Sequence, residues 1–279
     1  MKRLGRIWTV IVYIFLYAPM VILFIGSFND GKDLSEFEGF TFDNYADLFR
    51  NSHLLGLLLN SLILAVCAAA LATVLGTLAA LGIQAMRGKL RRTVMTLTNI
   101  PLVNPEIVTG VSLALLFVFI GRKMLNTENI LGFTTLLIAH VTFCLPYVIL
   151  QVLPKLRQMD PALPEAAMDL GCTPLRAFAK VELPEIFPGI LTGLIMSFTL
   201  SLDDFVISYF TSGNGFETLP IRIYSMTKKT VTPKMYALAT LIFFVILALL
   251  LVTNLSDRSG EDVETSPRKK RRQKKHSPS

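Results

Sequence analysis

Three of the twenty acidic residues, Glu106, Asp203 and Asp204, stand in stretches that otherwise carry no charge. A carboxylate at bilayer depth costs at least ~2.5 kcal/mol, so such groups face a bundle interior or an aqueous path. Ser197, Ser201, Asp204 and Ser208 follow one another at steps of 4, 3 and 4 residues, which on a helix makes one polar stripe. Asp203 lies about 100° around such a helix, nearer Met196 and Thr199. The spacing therefore favours Asp204 as the acid facing a path, with Asp203 as its neighbour. Phe205, Tyr209 and Phe210 follow closely, and aromatic faces attract cations. Acids and rings together suit a cation with an apolar body. The same acids would repel oxyanions such as phosphate, and a rigid neutral sugar would need uncharged hydrogen-bonding groups. The alternative is that the acids pair with Arg or Lys of an adjacent subunit, or with His140, because this chain's own spans hold few bases.

Catalytic chemistry finds little support. There is no G-x4-G-K-S/T loop to cradle nucleotide phosphates, so ATP hydrolysis by this chain is not expected. There is no H-E-x-x-H, and the three His are scattered, so neither a metal site nor a cofactor of its own is expected. Asp203 and Asp204 are adjacent rather than facing, unlike a dyad that shares a proton. His140 is expected to be a satisfied packing residue. Cys67, Cys144 and Cys172 form no secreted-type disulfide framework.

The elements that must position these acids are long and apolar. The 279 residues are 52% hydrophobic and only 17% charged, with a mean hydropathy of +0.56. Soluble domains carry roughly 25% charged residues, so an ordinary cytosolic enzyme is excluded. Uncharged runs predict six helices at about 7–28, 58–83, 94–120, 131–152, 187–210 and 235–255. The fold class is an all-α membrane protein with six transmembrane helices. Glu106 falls roughly 20 Å along the third, and the aspartates roughly 25 Å along the fifth. Pro101 and Pro105 remove two backbone donors just before Glu106, so local unwinding is expected there. Small residues crowd the second span, among them Ala65, Ala68, Ala69, Ala72, Gly76 and Ala80, which suits close packing in a bundle.

Lys2, Arg3 and Arg6 before the first run resemble a signal peptide, but the run is long and lacks a small-x-small cleavage site, so an uncleaved first helix is expected. With both termini cytoplasmic, inner segments hold 19 of the 27 Lys and Arg and outer ones 8. The run Arg268–Lys275 accounts for much of the net charge of +7. Directly after a membrane helix it suits anionic lipid head groups or solvent, and no nucleic-acid partner is expected.

Between the fourth and fifth spans, residues 151–187 form a long loop. Asp160 and Pro161 start a short helix through Leu163, Ala166, Ala167 and Leu170, and Gly171 can end it with a positive φ. Thr173 and Pro174 start a second short helix that Pro184 is expected to stop. A structured loop of this length on the cytoplasmic face suits protein docking; packing against the protein's own helix ends is the plainer alternative.

The pattern Glu165-Ala166-Ala167, Gly171, Val181, Leu183-Pro184 resembles the EAA loop of ABC-importer permeases, E-A-A-x3-G-x9-I-x-L-P, with Val181 where Ile is usual. The resemblance implies a type I ABC importer transmembrane fold, with this loop as a coupling helix for a cytoplasmic ATPase subunit. Glu165, Ala166, Ala167, Gly171, Leu183 and Pro184 are thereby implied in coupling. Further stretches resemble PotC-type permeases of spermidine/putrescine ABC importers over about residues 7–256. They include Tyr13, Tyr17 and Pro19, Ser27–Asn29, Pro105–Val108, His140–Tyr147, Ser197–Phe205 and Leu219–Met226.

This resemblance implies a polyamine-import permease in a bacterial plasma membrane. Its substrate path would hold Glu106, Asp204, Asp203, Phe205 and Tyr209. Its partners would be a second homologous permease, a cytoplasmic ATPase dimer that binds the ATP, an extracytoplasmic polyamine-binding protein and membrane lipid. A permease for another small cationic solute, or a stand-alone carrier or channel, are the alternatives. The expected organisation is 1–57 (N-terminal start, first span and outer loop), 58–256 (five-helix transport domain) and 257–279 (disordered basic cytoplasmic tail).

Overall fold

The structure is a computed structural model that describes residues 2–31, 37–124, 126–127, 129–228 and 232–264. The basic run Arg268–Lys275, on which the lipid-facing tail was expected, lies outside the described residues. In chain order the helices are α1 (Lys2–Gly26), α2 (Asp43–Arg50), α3 (Ser52–Ala85), α4 (Gly88–Val103), α5 (Glu106–Met124), α6 (Phe133–Gln158) and α7 (Ala162–Asp169). After them come α8 (Pro174–Ala177), a π-helical turn (Phe178–Glu182), α9 (Leu183–Asp203), α10 (Val206–Thr211), α11 (Leu219–Thr227) and α12 (Pro233–Glu264). Among the described residues there is no strand beyond one isolated antiparallel bridge, Asn29 to Phe40.

Five helical stretches are long and apolar enough to cross a membrane: Gly5–Gly26, Ser52–Ala85, Glu106–Met124, Phe133–Gln158 and Pro174–Asp203. The apolar start of α12, Pro233–Ala248, is shorter and stands where the sixth span was expected. The helix itself continues to Glu264, past the expected boundary at 256.

Three details of the expected spans are corrected. The third, 94–120, is two helices. Asn104 is extended (φ −74, ψ 134), as a residue before proline prefers, and Pro105 separates α4 from α5. The fifth does not run to 210: α9 ends at Asp203, Asp204 is extended (φ −63, ψ 123), and α10 starts afresh. Nor does Pro184 stop a helix. It occupies the first turn of α9, where its missing N–H is least costly, and the π turn joins α8 to α9 without a break.

The chain divides into two compact units. The first consists of residues up to Ser61 together with Glu217–Leu247. Its buried core is Leu48, Leu57, Leu219 and Leu238. Ser61 Oγ accepts the Leu219 N–H at 2.8 Å. Asn44 Nδ2 donates to the carbonyls of Ser27 (3.1 Å) and Asn29 (2.8 Å) and so closes the turn after α1. Lys234 Nζ lies 2.6 Å from Asp47 Oδ2 and holds that exposed carboxyl below the usual carboxylate range.

The second unit is centred on Leu62–Phe216. Its middle is α6, whose Leu136, Ala139, Cys144, Val148 and Val152 are fully buried. Small residues let neighbouring helices approach it closely. A Cβ built on Gly76 of α3 would stand 2.7 Å from Val148, and one on Gly189 of α9 would stand 2.8 Å from the Gln151 carbonyl. The small-residue content of α3 is thus a packing surface, as expected.

Candidate functional site

Both acid-bearing segments lie at helix breaks within the second unit. Glu106 is the first residue of α5, directly after the Asn104–Pro105 break. Asp203 is the last residue of α9, directly before the Asp204–Phe205 break. The two breaks are held together because α10 packs on α5. A Cβ on Gly110, one turn into α5, would stand 3.3 Å from Ile207 Cα and 3.2 Å from the Phe210 ring. Any larger residue there would push the two helices apart. Broken helices at membrane depth expose backbone groups that must be satisfied by protein or water, and such breaks recur where transporters hold ions.

The two adjacent aspartates part company. Asp204 is buried, at 8% exposure, and Asp203 is exposed. Asp204 Oδ2 accepts the Ser208 N–H at 2.8 Å and Oδ1 the Ile207 N–H at 3.3 Å, which caps the first turn of α10. Oδ2 also lies 3.5 Å from His140 Nε2. Asp204 therefore turns into the interior of this chain and Asp203 is the exposed acid, which the helical stripe did not anticipate. The stripe was drawn for a continuous helix, and the break resets the angular phase after Asp203.

Ser201 and Ser208 of the stripe do converge, on His140. Its Nδ1 is 2.7 Å from Ser201 Oγ and its Nε2 3.0 Å from Ser208 Oγ. His140 is fully buried and satisfied. Among the described residues neither Glu106 nor Asp203 has an ion-pair partner. They lie within electrostatic range of each other. Asp203 also sits at the C-terminal end of α9, where the unpaired carbonyls add partial negative charge. The local field at this point favours a cation.

Of the expected aromatic residues, Tyr209 is half exposed and Phe205 half buried, and their rings are 5.5 Å apart. Phe210 stands edge-on to Tyr209 at 5.4 Å. Tyr147 of α6 joins the set through its proximity to Glu106. In sequence Tyr147 stands out only as the end of the His140–Tyr147 stretch, and its place beside Glu106 could be found only from the fold. Asn104, whose Nδ2 donates to Thr109 Oγ1 at 3.1 Å across the break, is marked in sequence only by the proline after it.

The loop residues lie elsewhere, at the other end of α9. In α7, Glu165 and Ala166 are exposed and Ala167 half buried. Gly171 has φ +91 and forms the expected elbow. The Cys172 N–H bonds the Ala167 carbonyl at 3.0 Å and the Gly171 N–H that of Met168 at 2.9 Å, a Schellman-type closure. Leu183 and Pro184 lie in the first turn of α9. Leu170 and Leu175, 88% and 81% exposed, flank the elbow and leave an uncovered apolar surface. The unbroken helical run Pro174–Asp203, about 45 Å long at 1.5 Å per residue, connects this elbow to the acidic break.

Residues 72–260 match the family described as binding-protein-dependent transport system inner membrane component. The chain is 40% identical over 250 residues to the spermidine/putrescine transport system permease protein PotC of Haemophilus influenzae, covering 90% of this chain and 95% of that one. It is 41% identical over 241 residues to the putrescine transport system permease protein PotI of Escherichia coli, covering 84% and 85%. In fold it is similar to a chain of a bacterial ABC transporter involved in the import of the acidic polysaccharide alginate. That similarity has a TM-score of 0.70 at 18% identity and covers 92% of this chain and 98% of the other.

Proposed function

Because the chain belongs to the binding-protein-dependent transport system inner membrane components, we propose that it is the permease subunit of an ATP-driven polyamine importer, taking spermidine, putrescine or both. The observation that carries the cation assignment is the pair of carboxylates, Glu106 and Asp203, which have no ion-pair partner among the described residues and stand at two helix breaks held together by α5 and α10. A polyamine is a flexible chain of ammonium groups separated by methylenes. Two carboxylates suit two ammoniums, and the faces of Tyr209 and Phe205 suit the methylenes between them and add cation–π attraction. The names of the PotC and PotI relatives support the same substrate class.

In this reading the chain forms half of the path and a second homologous permease forms the other half. It carries no ATPase site, and ATP is bound by a cytoplasmic ATPase dimer. The loop around Gly171 docks on that dimer through Leu170 and Leu175, with Glu165 on the same short helix. Closure of the dimer moves the elbow, and the rigid run Pro174–Asp203 carries the displacement to the acids. Both termini are cytoplasmic in a bacterial plasma membrane, and an extracytoplasmic binding protein delivers the polyamine.

The test is uptake of labelled spermidine into proteoliposomes holding this chain with its partner permease, the ATPase and the binding protein. ATP-dependent accumulation, with competition by excess putrescine, is expected. Accumulation without ATP would instead indicate a carrier. A complex that hydrolyses ATP but accumulates no polyamine would sink the substrate assignment.

A further inference from the structure

The break between α9 and α10 is stapled from outside by a single ring. His140, on α6, reaches Ser201 on α9 with one nitrogen and Ser208 on α10 with the other, at 2.7 and 3.0 Å. Its imidazole thus spans the two residues between the helices, Asp204 and Phe205. Asp204 completes the junction by accepting the Ile207 and Ser208 N–H groups, which a helix start leaves without partners. Ile207 and Ser208 are fully buried, so these donors cannot turn to water, and a side chain that satisfies them holds the break. Further along α10, Thr135 Oγ1 of α6 donates to the Thr211 carbonyl at 3.1 Å and fixes the short helix at its other end.

The consequence falls on Asp203. Both oxygens of Asp204 are engaged inside, and its extended backbone ends α9 one residue earlier, which leaves Asp203 exposed and within range of Glu106. We infer that His140 and Asp204 are positioning residues for cation transport: by locking the α9–α10 break they hold Asp203 outward as the acid that meets the substrate. The inference rests on the polyamine-import reading. It assigns different physical roles to neighbouring carboxylates. Asp203 acts through its charge, and Asp204 through its acceptor oxygens.

Asparagine separates these roles, because it drops the charge but keeps one acceptor oxygen, while alanine drops both. Initial rates of spermidine uptake are measured over a range of concentrations in the full complex, with assembly checked by gel filtration. Asp203→Asn is expected to raise KM by about tenfold or more, the loss of one charge-assisted contact. Asp204→Asn keeps an acceptor for only one of the two N–H groups, so its KM is expected to fall between those of the parent and Asp204→Ala. Asp204→Ala and His140→Ala are expected to reproduce the higher KM of Asp203→Asn although residue 203 is unchanged. They should also alter the rate at which a charged thiol reagent labels Asp203→Cys.

An assembled Asp204→Asn complex with the same KM as Asp204→Ala would overturn the inference, since the charge that both variants lack, and not the acceptor that asparagine keeps, would then be what matters at 204. Normal kinetics in Asp203→Asn would overturn it as well. If Asp204→Ala does not assemble, His140→Ala decides: a parent-like KM in that variant would overturn the inference. Failure of the unsubstituted complex to take up spermidine would instead sink the polyamine reading, and the inference with it.

Discussion

The elbow at Gly171 permits a quantitative test of how the loop works. Its φ of +91 lies in the region that L side chains avoid, and a Cβ built there meets nothing within 4 Å. Substitution therefore carries a backbone cost and no packing cost. Alanine should cost ~1 kcal/mol and β-branched valine ~2 kcal/mol, whereas asparagine, which tolerates the left-handed region, should cost a few tenths. One kcal/mol changes the ratio of two states about fivefold, and a population by at most that factor. The strain can be relieved only by opening the closure between Cys172 and Ala167. The elbow population that presents Leu170 and Leu175 together should fall accordingly. The assay is polyamine accumulated per ATP hydrolysed in proteoliposomes, for Gly171→Asn, Gly171→Ala and Gly171→Val. The expected order is parent, asparagine, alanine, valine, with alanine at most about fivefold below the parent. Equal coupling in Gly171→Val and the parent would refute the reasoning, as would Gly171→Asn falling below Gly171→Ala.

Replacing Leu170 and Leu175 together by Asp should leave the chain folded, because both are exposed; it should abolish co-purification with the ATPase and stop ATP-driven uptake. Gly76→Ala should lower the melting temperature in detergent, since the added methyl would stand 2.7 Å from Val148 and overpacking costs about 1–3 kcal/mol. The Asp47–Lys234 pair should contribute stability at pH values above the ordinary carboxylate range and lose it as pH falls through the lowered Asp47 value. In Lys234→Met the Asp47 titration, followed by carboxyl NMR, should return to the ordinary range.

Much of the architecture follows from local chemistry. Uncharged runs long enough to cross a bilayer can be counted directly, because removing apolar residues from water and keeping charged ones in it are properties of single stretches. The loop is similarly legible. Its helix starts at Asp160-Pro161 and Thr173-Pro174 and its glycine elbow depend on residues within one or two turns. The Pro105 break was signalled by two prolines that remove adjacent donors, although not that it would split one span into two helices.

Other features were decided by residues far apart in the chain. Pro184 reads as a stop, but the π turn absorbs it, and the resulting continuous rod connects loop and acids. Helical spacing favoured Asp204 as the acid facing a path, and that bookkeeping holds only while the helix continues. At the break, His140, 61 residues before Ser201, bonds that serine and Ser208 together. Sequence alone determined that two adjacent carboxylates lie in an apolar span and that a loop of two short helices turns at Gly171. Which carboxylate is buried and which is exposed was decided by the tertiary structure, because the two backbone amides of Ile207 and Ser208 can satisfy only the carboxylate that reaches them.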